Sequence, residues 1–126
     1  HTNVEYLGFR DKEYIISELK QAKALVFPSQ WYEGFPMTIL EAFSCGTPVI
    51  ASDLGGPGEV ITHGTNGLLF DYHSSDALLL AIDRLRKKGA LYQQLSRNAR
   101  RSYEELYTPE SNYHQLMKIY TKAILL

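Results

Sequence analysis

Glu33-Gly34-Phe35-Pro36-Met37-Thr38-Ile39-Leu40-Glu41, continued by Ala42-Phe43-Ser44-Cys45-Gly46, is the stretch around which the rest of the chain is organised. Pro36 suits the first position of a helix, because its fixed φ is helical and its missing N–H would find no intrahelical acceptor. Met37, Leu40, Ala42 and Phe43 supply an apolar side, and Gly46 is a natural residue just past the helix end. Glu33 then lies just outside a short helix and Glu41 more than one turn inside it. Between them, the N–H groups of Met37, Thr38 and Ile39 are expected to be free at the positive end of the helix dipole, the make-up of an anion site. An elongated ligand with phosphate in its middle and hydroxyls at both ends fits this arrangement, and a nucleotide sugar has that outline.

Upstream of this stretch, Val4-Glu5-Tyr6-Leu7 reads as a short strand and Gly8-Phe9-Arg10 as the turn after it. Asp11 can cap a helix running to about Ala22, with Ile15, Leu19 and Ala22 on one face. Ala24 to Phe27 is a continuous apolar strand ended by Pro28-Ser29. Downstream, Pro48 to Ser52 is another apolar strand, Asp53 to Gly58 a turn, and Glu59-Val60-Ile61 the centre of a short helix. His63 to Gly67 is a tight connection that needs positive φ, and Leu68 to Phe70 is the last strand. Apolar strands alternating with helices predict the α/β class, a Rossmann-like parallel sheet with helices on both faces. Ligands of such sheets bind beyond the strand C-termini. The Gly8 turn, the Ser29–Phe35 loop and the Asp53–Gly58 turn all follow strand ends, so they are expected on one rim.

The remaining third reads as helical. Asp76 to Lys88 places Leu78, Ala81, Ile82 and Leu85 on one stripe ended by Gly89. Ala90 to Leu106 turns Leu91, Leu95, Ala99 and Tyr103 inward. Thr108-Pro109 restarts the chain as cap and first helical residue, and the final helix carries Tyr113, Leu116, Met117, Tyr120 and Ile124 at helical spacing. That last stripe is read as a packing face, or as one that docks on a further domain.

A chain of 126 residues with 44% apolar and 21% charged residues is one globular domain, small for a complete two-substrate enzyme. No apolar run approaches the roughly 18 residues that span a bilayer, and no signal-peptide pattern opens the chain. The single cysteine, Cys45, excludes an internal disulfide and reads as a small hydrophobe at the end of the central helix. The chain opens on His1 and not on Met, which reads as an excised portion of a longer protein, with loss of the Met by precursor processing as the alternative. Net charge is −1 but unevenly spread. From Ala24 to Asp83 there are seven acids and no Lys or Arg, and from Arg84 to Arg101 seven bases and no acid. The basic block reads first as two solvated helix faces, and second as weak attraction to an anionic membrane surface. Nucleic acid is disfavoured, because the aromatic residues do not interleave with these charges as a stacking platform requires.

The Glu33-x7-Glu41 motif stands among Pro28-Ser29, Gly34-Phe35-Pro36, Ala42, Gly46-Thr47-Pro48-Val49-Ile50-Ala51-Ser52-Asp53, Gly55-Gly56, Glu59 and Asn66-Gly67-Leu68-Leu69. This ordered set resembles the C-terminal, donor-binding half of a GT-B glycosyltransferase of the retaining family 4 kind, over nearly the whole chain. The resemblance implies that residues 1–126 form a partial nucleotide-sugar-binding domain. It assigns Glu33 to hydroxyls of the donor sugar, as the catalytic residue of the set, and Glu41 to the ribose hydroxyls. It places the diphosphate on backbone N–H groups near Gly34, Phe35, Met37, Thr38 and Ile39, with the Thr38 hydroxyl adding a bond. Gly8, Phe9 and Arg10 would lie along the base, and Ser29 is a further donor-binding candidate.

The family's chemistry needs no metal and no other cofactor, and stabilises the leaving diphosphate electrostatically. The family's Arg and Lys for that diphosphate come from a strand–helix unit upstream of Val4, and its acceptor (a sugar, lipid or other glycan) binds an N-terminal domain. This chain alone is therefore expected to be inactive, and the parent enzyme to work in the cytoplasm, at the inner membrane face if the basic block is used. Other readings are a GT-B sugar-nucleotide epimerase, or a flavodoxin-like interaction module without activity. A receiver of the latter kind would carry a Lys near its late strand, where this chain has Phe70-Asp71.

Blander roles stand beside these. Glu33 can be a solvated loop acid, and Glu41 a surface or structural residue. Ser29 and Asp53 can serve turn geometry, Glu59 can brace its loop, and Phe35 can pack beneath the loop. His63, His73 and His114 lack metal-ligand spacing and read as turn or surface residues.

Overall fold

The computed structural model describes residues 3–87 and 89–125. Three strands, β1 (Leu25–Phe27), β2 (Val49–Ser52) and β3 (Leu68–Phe70), form a parallel sheet in the order β1-β2-β3. Leu25 pairs with Val49 and Phe27 with Ala51 across one ladder, and Ile50 with Leu68 and Ser52 with Phe70 across the other. The central strand is buried along its whole length, as its unbroken apolar sequence requires when both sheet faces are covered.

Among the described residues six α-helices surround the sheet: α1 (Lys12–Gln21), α2 (Met37–Ser44), α3 (Gly56–Val60), α4 (Ser75–Lys87), α5 (Gly89–Ser102) and α6 (Pro109–Ile124). Strand periodicity sends alternate residues to opposite faces. Val49 and Ala51 join Leu19, Ile39, Phe43 and Ala99 in one core, beneath α1, α2 and the end of α5. Ile50, Leu68 and Phe70 join Ala81, Leu85 and Leu95 in the other, beneath α4 and the start of α5. The α/β class and the covering of both faces are thus as the sequence pattern predicts. Among the described residues no helix is long and apolar enough to cross a membrane.

Local signals account for most element ends. Asp11 caps α1 by accepting the Tyr14 N–H at 2.8 Å, and Thr108 caps α6 by accepting the Ser111 N–H. Helix α2 ends at Gly46, with φ +68, where the Gly46 N–H reaches the Phe43 carbonyl and the Thr47 N–H the Ala42 carbonyl. That pair of bonds is a Schellman motif, which a glycine closes without steric cost. Cys45 caps the same helix and packs half-buried against the first core.

Several expectations are corrected. Residues 4–7 form no strand, and Val4 and Tyr6 are 74% and 94% exposed. A strand exists only through its ladder, and among the described residues β1 pairs on one side alone, with β2. Gly89 opens α5 instead of closing α4, and Lys88, the expected last residue of α4, lies outside the described residues. The helix expected over Ala90–Leu106 leaves α geometry at Ser102 and continues as a single π turn, Tyr103–Tyr107. The turn leaves both Tyr103 and Tyr107 packed against the first core. Pro36 is the N-cap of α2 and not its first residue. Finally, α6 buries none of its residues, so Tyr113, Leu116, Met117, Tyr120 and Ile124 face outward from this domain.

Candidate functional site

The loop Pro28–Phe35 leaves the C-terminal end of β1, and the Asp53–Gly55 turn leaves the C-terminal end of β2. Because the strands are parallel neighbours, both connections emerge on the same rim, and the structure joins them tightly. The Gly56 N–H donates to the Glu33 carbonyl at 2.9 Å. A Cβ on Gly56 would fall 1.8 Å from the Gly34 carbonyl oxygen, and one on Gly55 would fall 2.9 Å from the Glu33 carbonyl oxygen. Gly55 also holds φ +66, which side chains rarely adopt. The two glycines are therefore the seat on which the Glu33-Gly34 backbone rests. In the sequence the pair belongs to a turn and to the motif set around Glu33, and a glycine pair directly after a strand is the local signal of close backbone approach.

Within the loop, the Ser29 hydroxyl is the centre of a small network. Its oxygen accepts the Trp31 N–H at 3.2 Å, and its proton faces Glu33 Oε1 at 3.0 Å and the Trp31 carbonyl at 3.3 Å. Ser29 and Glu33 are both half-buried. Trp31 and Tyr32 project outward from the same loop.

The chain then turns sharply into α2. Pro36, at φ −84° and ψ 84°, is the centre of an inverse γ-turn in which the Met37 N–H donates to the Phe35 carbonyl at 3.0 Å. The Ile39 N–H donates to the Pro36 carbonyl at 3.1 Å. Met37 and Ile39 are thus not free donors as the sequence suggested, because the tight turn at Pro36 supplies each with a local acceptor. The N–H groups of Gly34, Phe35 and Thr38 have no acceptor among the described residues. The N-terminal donor set is therefore shifted toward the loop, away from the body of the helix.

Glu41 sits half-buried on α2. Its carboxylate has no hydrogen-bond or ion-pair partner among the described residues. It lines a groove of about 590 Å³ with Phe35, Met37, Lys12 and Tyr107. Lys12, from the first turn of α1, is the basic residue of that lining, and nothing local in the sequence ties α1 to α2. Phe35 packs against Tyr107 with ring centroids 6.1 Å apart, so the π turn braces the loop. Burial pushes the Tyr107 phenol up from its ordinary value.

The far end of α2 is held by Arg100, which donates to the Ser44 carbonyl and to Glu104 Oε1, the latter at 2.8 Å. Thr47 and Ser96 tie the following turn to α1 and α5 with bonds of 2.6 Å each. Helix α2 is consequently anchored at both ends, and Glu41 with it.

Gly8, Phe9 and Arg10 are not brought to this groove. Gly8 and Arg10 line a second one, of about 420 Å³, on the other side of α1 against the open edge of β1, and Phe9 is 98% exposed. Asp53, in the turn after β2, and Glu59, inside α3, are both exposed. His63 accepts the Leu69 N–H through Nδ1 at 2.9 Å, a turn-bracing role. Among the described residues no group of three or more His, Cys, Asp or Glu is placed to hold a metal ion.

A family model described as "Glycosyl transferases group 1" matches residues 1–102. The chain is 35% identical over 121 residues to a Streptomyces coelicolor protein named exopolysaccharide phosphotransferase, covering 86% of this chain and 13% of that protein. It superposes on sucrose-phosphate synthase from Thermosynechococcus elongatus with a TM-score of 0.87 and 32% identity, over 98% of this chain and 31% of that one. It superposes likewise on Anabaena Alr3699/HepE in complex with UDP-glucose, with a TM-score of 0.84 and 25% identity, over 96% of this chain and 33% of that one. The chain therefore spans about a third or less of the length of each of these proteins.

Proposed function

This chain belongs to the group 1 glycosyl transferases and has the Rossmann-like α/β architecture of GT-B enzymes, and we propose that it is the donor-binding part of a retaining, family 4-like enzyme. Its substrate is a nucleotide-diphosphate sugar. The observation that carries this reading is the pair Glu33 and Glu41, one on the loop and one on the helix, on either side of the free N–H groups of Gly34, Phe35 and Thr38.

In this reading Glu33 bonds hydroxyls of the donor sugar and Glu41 those of the ribose. The diphosphate lies on the intervening N–H groups, where pre-aimed dipoles stabilise the charge that develops as the sugar leaves. The task is assigned to backbone donors and to cations, with no metal ion or other cofactor in the scheme. Lys12 stands in the same groove as Glu41 and is one such cation. Met37 and Ile39 contribute through their place in the turn, since their N–H groups are already engaged. The acceptor, a sugar, lipid or other glycan, is assigned to a further domain, and the outward stripe on α6 is the surface of this chain suited to such a domain. The basic residues of α4 and α5 would carry peripheral attachment at the cytoplasmic membrane face.

The UDP-glucose complex of Alr3699/HepE recommends UDP-sugars as the first donors to try. The test is transfer from a panel of labelled nucleotide sugars by the intact enzyme that carries this domain. One donor should be used with retention of its anomeric configuration, and Glu33→Ala should lower turnover by at least about a hundredfold, the loss typical of one essential polar contact. Unchanged turnover in that variant would remove Glu33 from the mechanism.

A further inference from the structure

We infer that Ser29 is a positioning residue for Glu33 and not itself a contact of the donor; the inference rests on the function proposed for Glu33. A serine hydroxyl has one proton and can accept through its lone pairs. Here one lone pair accepts the Trp31 N–H at 3.2 Å, which fixes the oxygen within the loop. The proton then has two acceptors within reach, the Glu33 carboxylate at 3.0 Å and the Trp31 carbonyl at 3.3 Å. The nearer acceptor also carries the charge, and charge-assisted bonds are roughly twice as strong as neutral ones. Ser29 therefore holds Glu33 Oε1.

Two consequences follow from the chemistry. A glutamate side chain has several freely rotating bonds, and its ordering is costly unless something fixes it. Ser29 fixes it before any ligand arrives, while the seat formed by Gly55 and Gly56 fixes the backbone of the same residue. The second oxygen, Oε2, has no protein partner among the described residues and is left as the acceptor for a sugar hydroxyl. The carboxylate is thus divided between an inner oxygen that orients it and an outer oxygen that works. The Ser29 hydroxyl, with its proton and one lone pair engaged inside the loop, has no proton left to donate to a ligand.

The test is a double-mutant cycle in the intact enzyme, with whichever UDP-sugar of the labelled panel it transfers. Ser29→Ala should lower kcat/KM by roughly ten- to a hundredfold, the range for one hydrogen bond to a charged group. In a Glu33→Ala background the same substitution should change kcat/KM less than about threefold, because the residue through which it acts is gone. Ser29→Thr keeps the hydroxyl and should recover most of the activity. Ser29→Cys, of similar size but a weak donor, should behave as Ser29→Ala, and replaces it in the cycle if the alanine variant fails to fold. Losses that multiply independently in the double variant would overturn the inference and return Ser29 to direct donor contact. So would an unchanged Ser29→Ala beside a damaged Glu33→Ala. An unchanged Glu33→Ala would instead strike the proposed function itself, so the two failures are separate.

Discussion

Replacing Gly56 by alanine puts the seat of the Glu33 loop to a direct test. The added Cβ would stand 1.8 Å from the Gly34 carbonyl oxygen, 3.0 Å from its carbonyl carbon and 3.1 Å from Pro36 Cδ. Ordinary contact begins near 3.4 Å, so the carbonyl must retreat by about 1.6 Å. Backbone is in the way, and no rotamer change relieves it. The retreat breaks the Gly56 N–H bond to the Glu33 carbonyl, a loss of about 0.5–1.5 kcal/mol. Overpacking adds about 1–3 kcal/mol. The sum, about 1.5–4.5 kcal/mol, lowers the melting temperature of a domain this size by about 6–18 °C. A shift of this size beside the reacting centre also costs activity, about a hundredfold for each ångström of misplacement. Circular dichroism melts of the chain and donor kinetics of the intact enzyme measure the two effects. Gly34→Ala is the control for stability: a Cβ there meets nothing within 4 Å, and φ is not positive, so its melting temperature should stay within about 2 °C of wild type. A Gly56→Ala protein that melts with wild type and turns over at the wild-type rate would refute the idea that the glycine pair seats the loop.

Two further predictions concern the supports of the site. Asn66 is buried, accepts the Thr62 N–H at 2.8 Å and donates to the Val60 carbonyl and to Ser102 Oγ; Asn66→Ala should cost about 1–3 kcal/mol in urea unfolding, and an unchanged midpoint would show that these bonds add nothing net. Tyr107 has a phenol pushed up by burial, so the neutral form is favoured in the fold, and its stabilising effect is present below the ordinary value of about 10 and lost as pH rises through the raised one. The difference between alkaline absorbance titrations of wild type and Tyr107→Phe should be centred above 10; a difference curve centred at or below it would contradict the burial of that ring.

What could be read from sequence alone was local. The buried strands show as unbroken apolar runs, the caps Asp11 and Thr108 and the terminating Gly46 show as residue types at fixed offsets, and the spacing of Glu33 and Glu41 is set by the helix between them. Each depends on burial or dihedral preference within a few residues, and such preferences are written in order along the chain. Tertiary structure decided the rest. It set Gly55 and Gly56 beneath Glu33, brought Lys12 of α1 into the groove of Glu41, and packed Tyr107 on Phe35. It also denied Val4–Leu7 a ladder and left the stripe of α6 outward. These outcomes rest on which distant backbones meet, and apolar spacing records that a face is buried without recording what lies against it. Even the local reading of Pro36 failed for a related reason. Its fixed φ serves a helix start and an inverse γ-turn equally, and ψ, which the ring leaves free, settled on the turn that the seated loop demands.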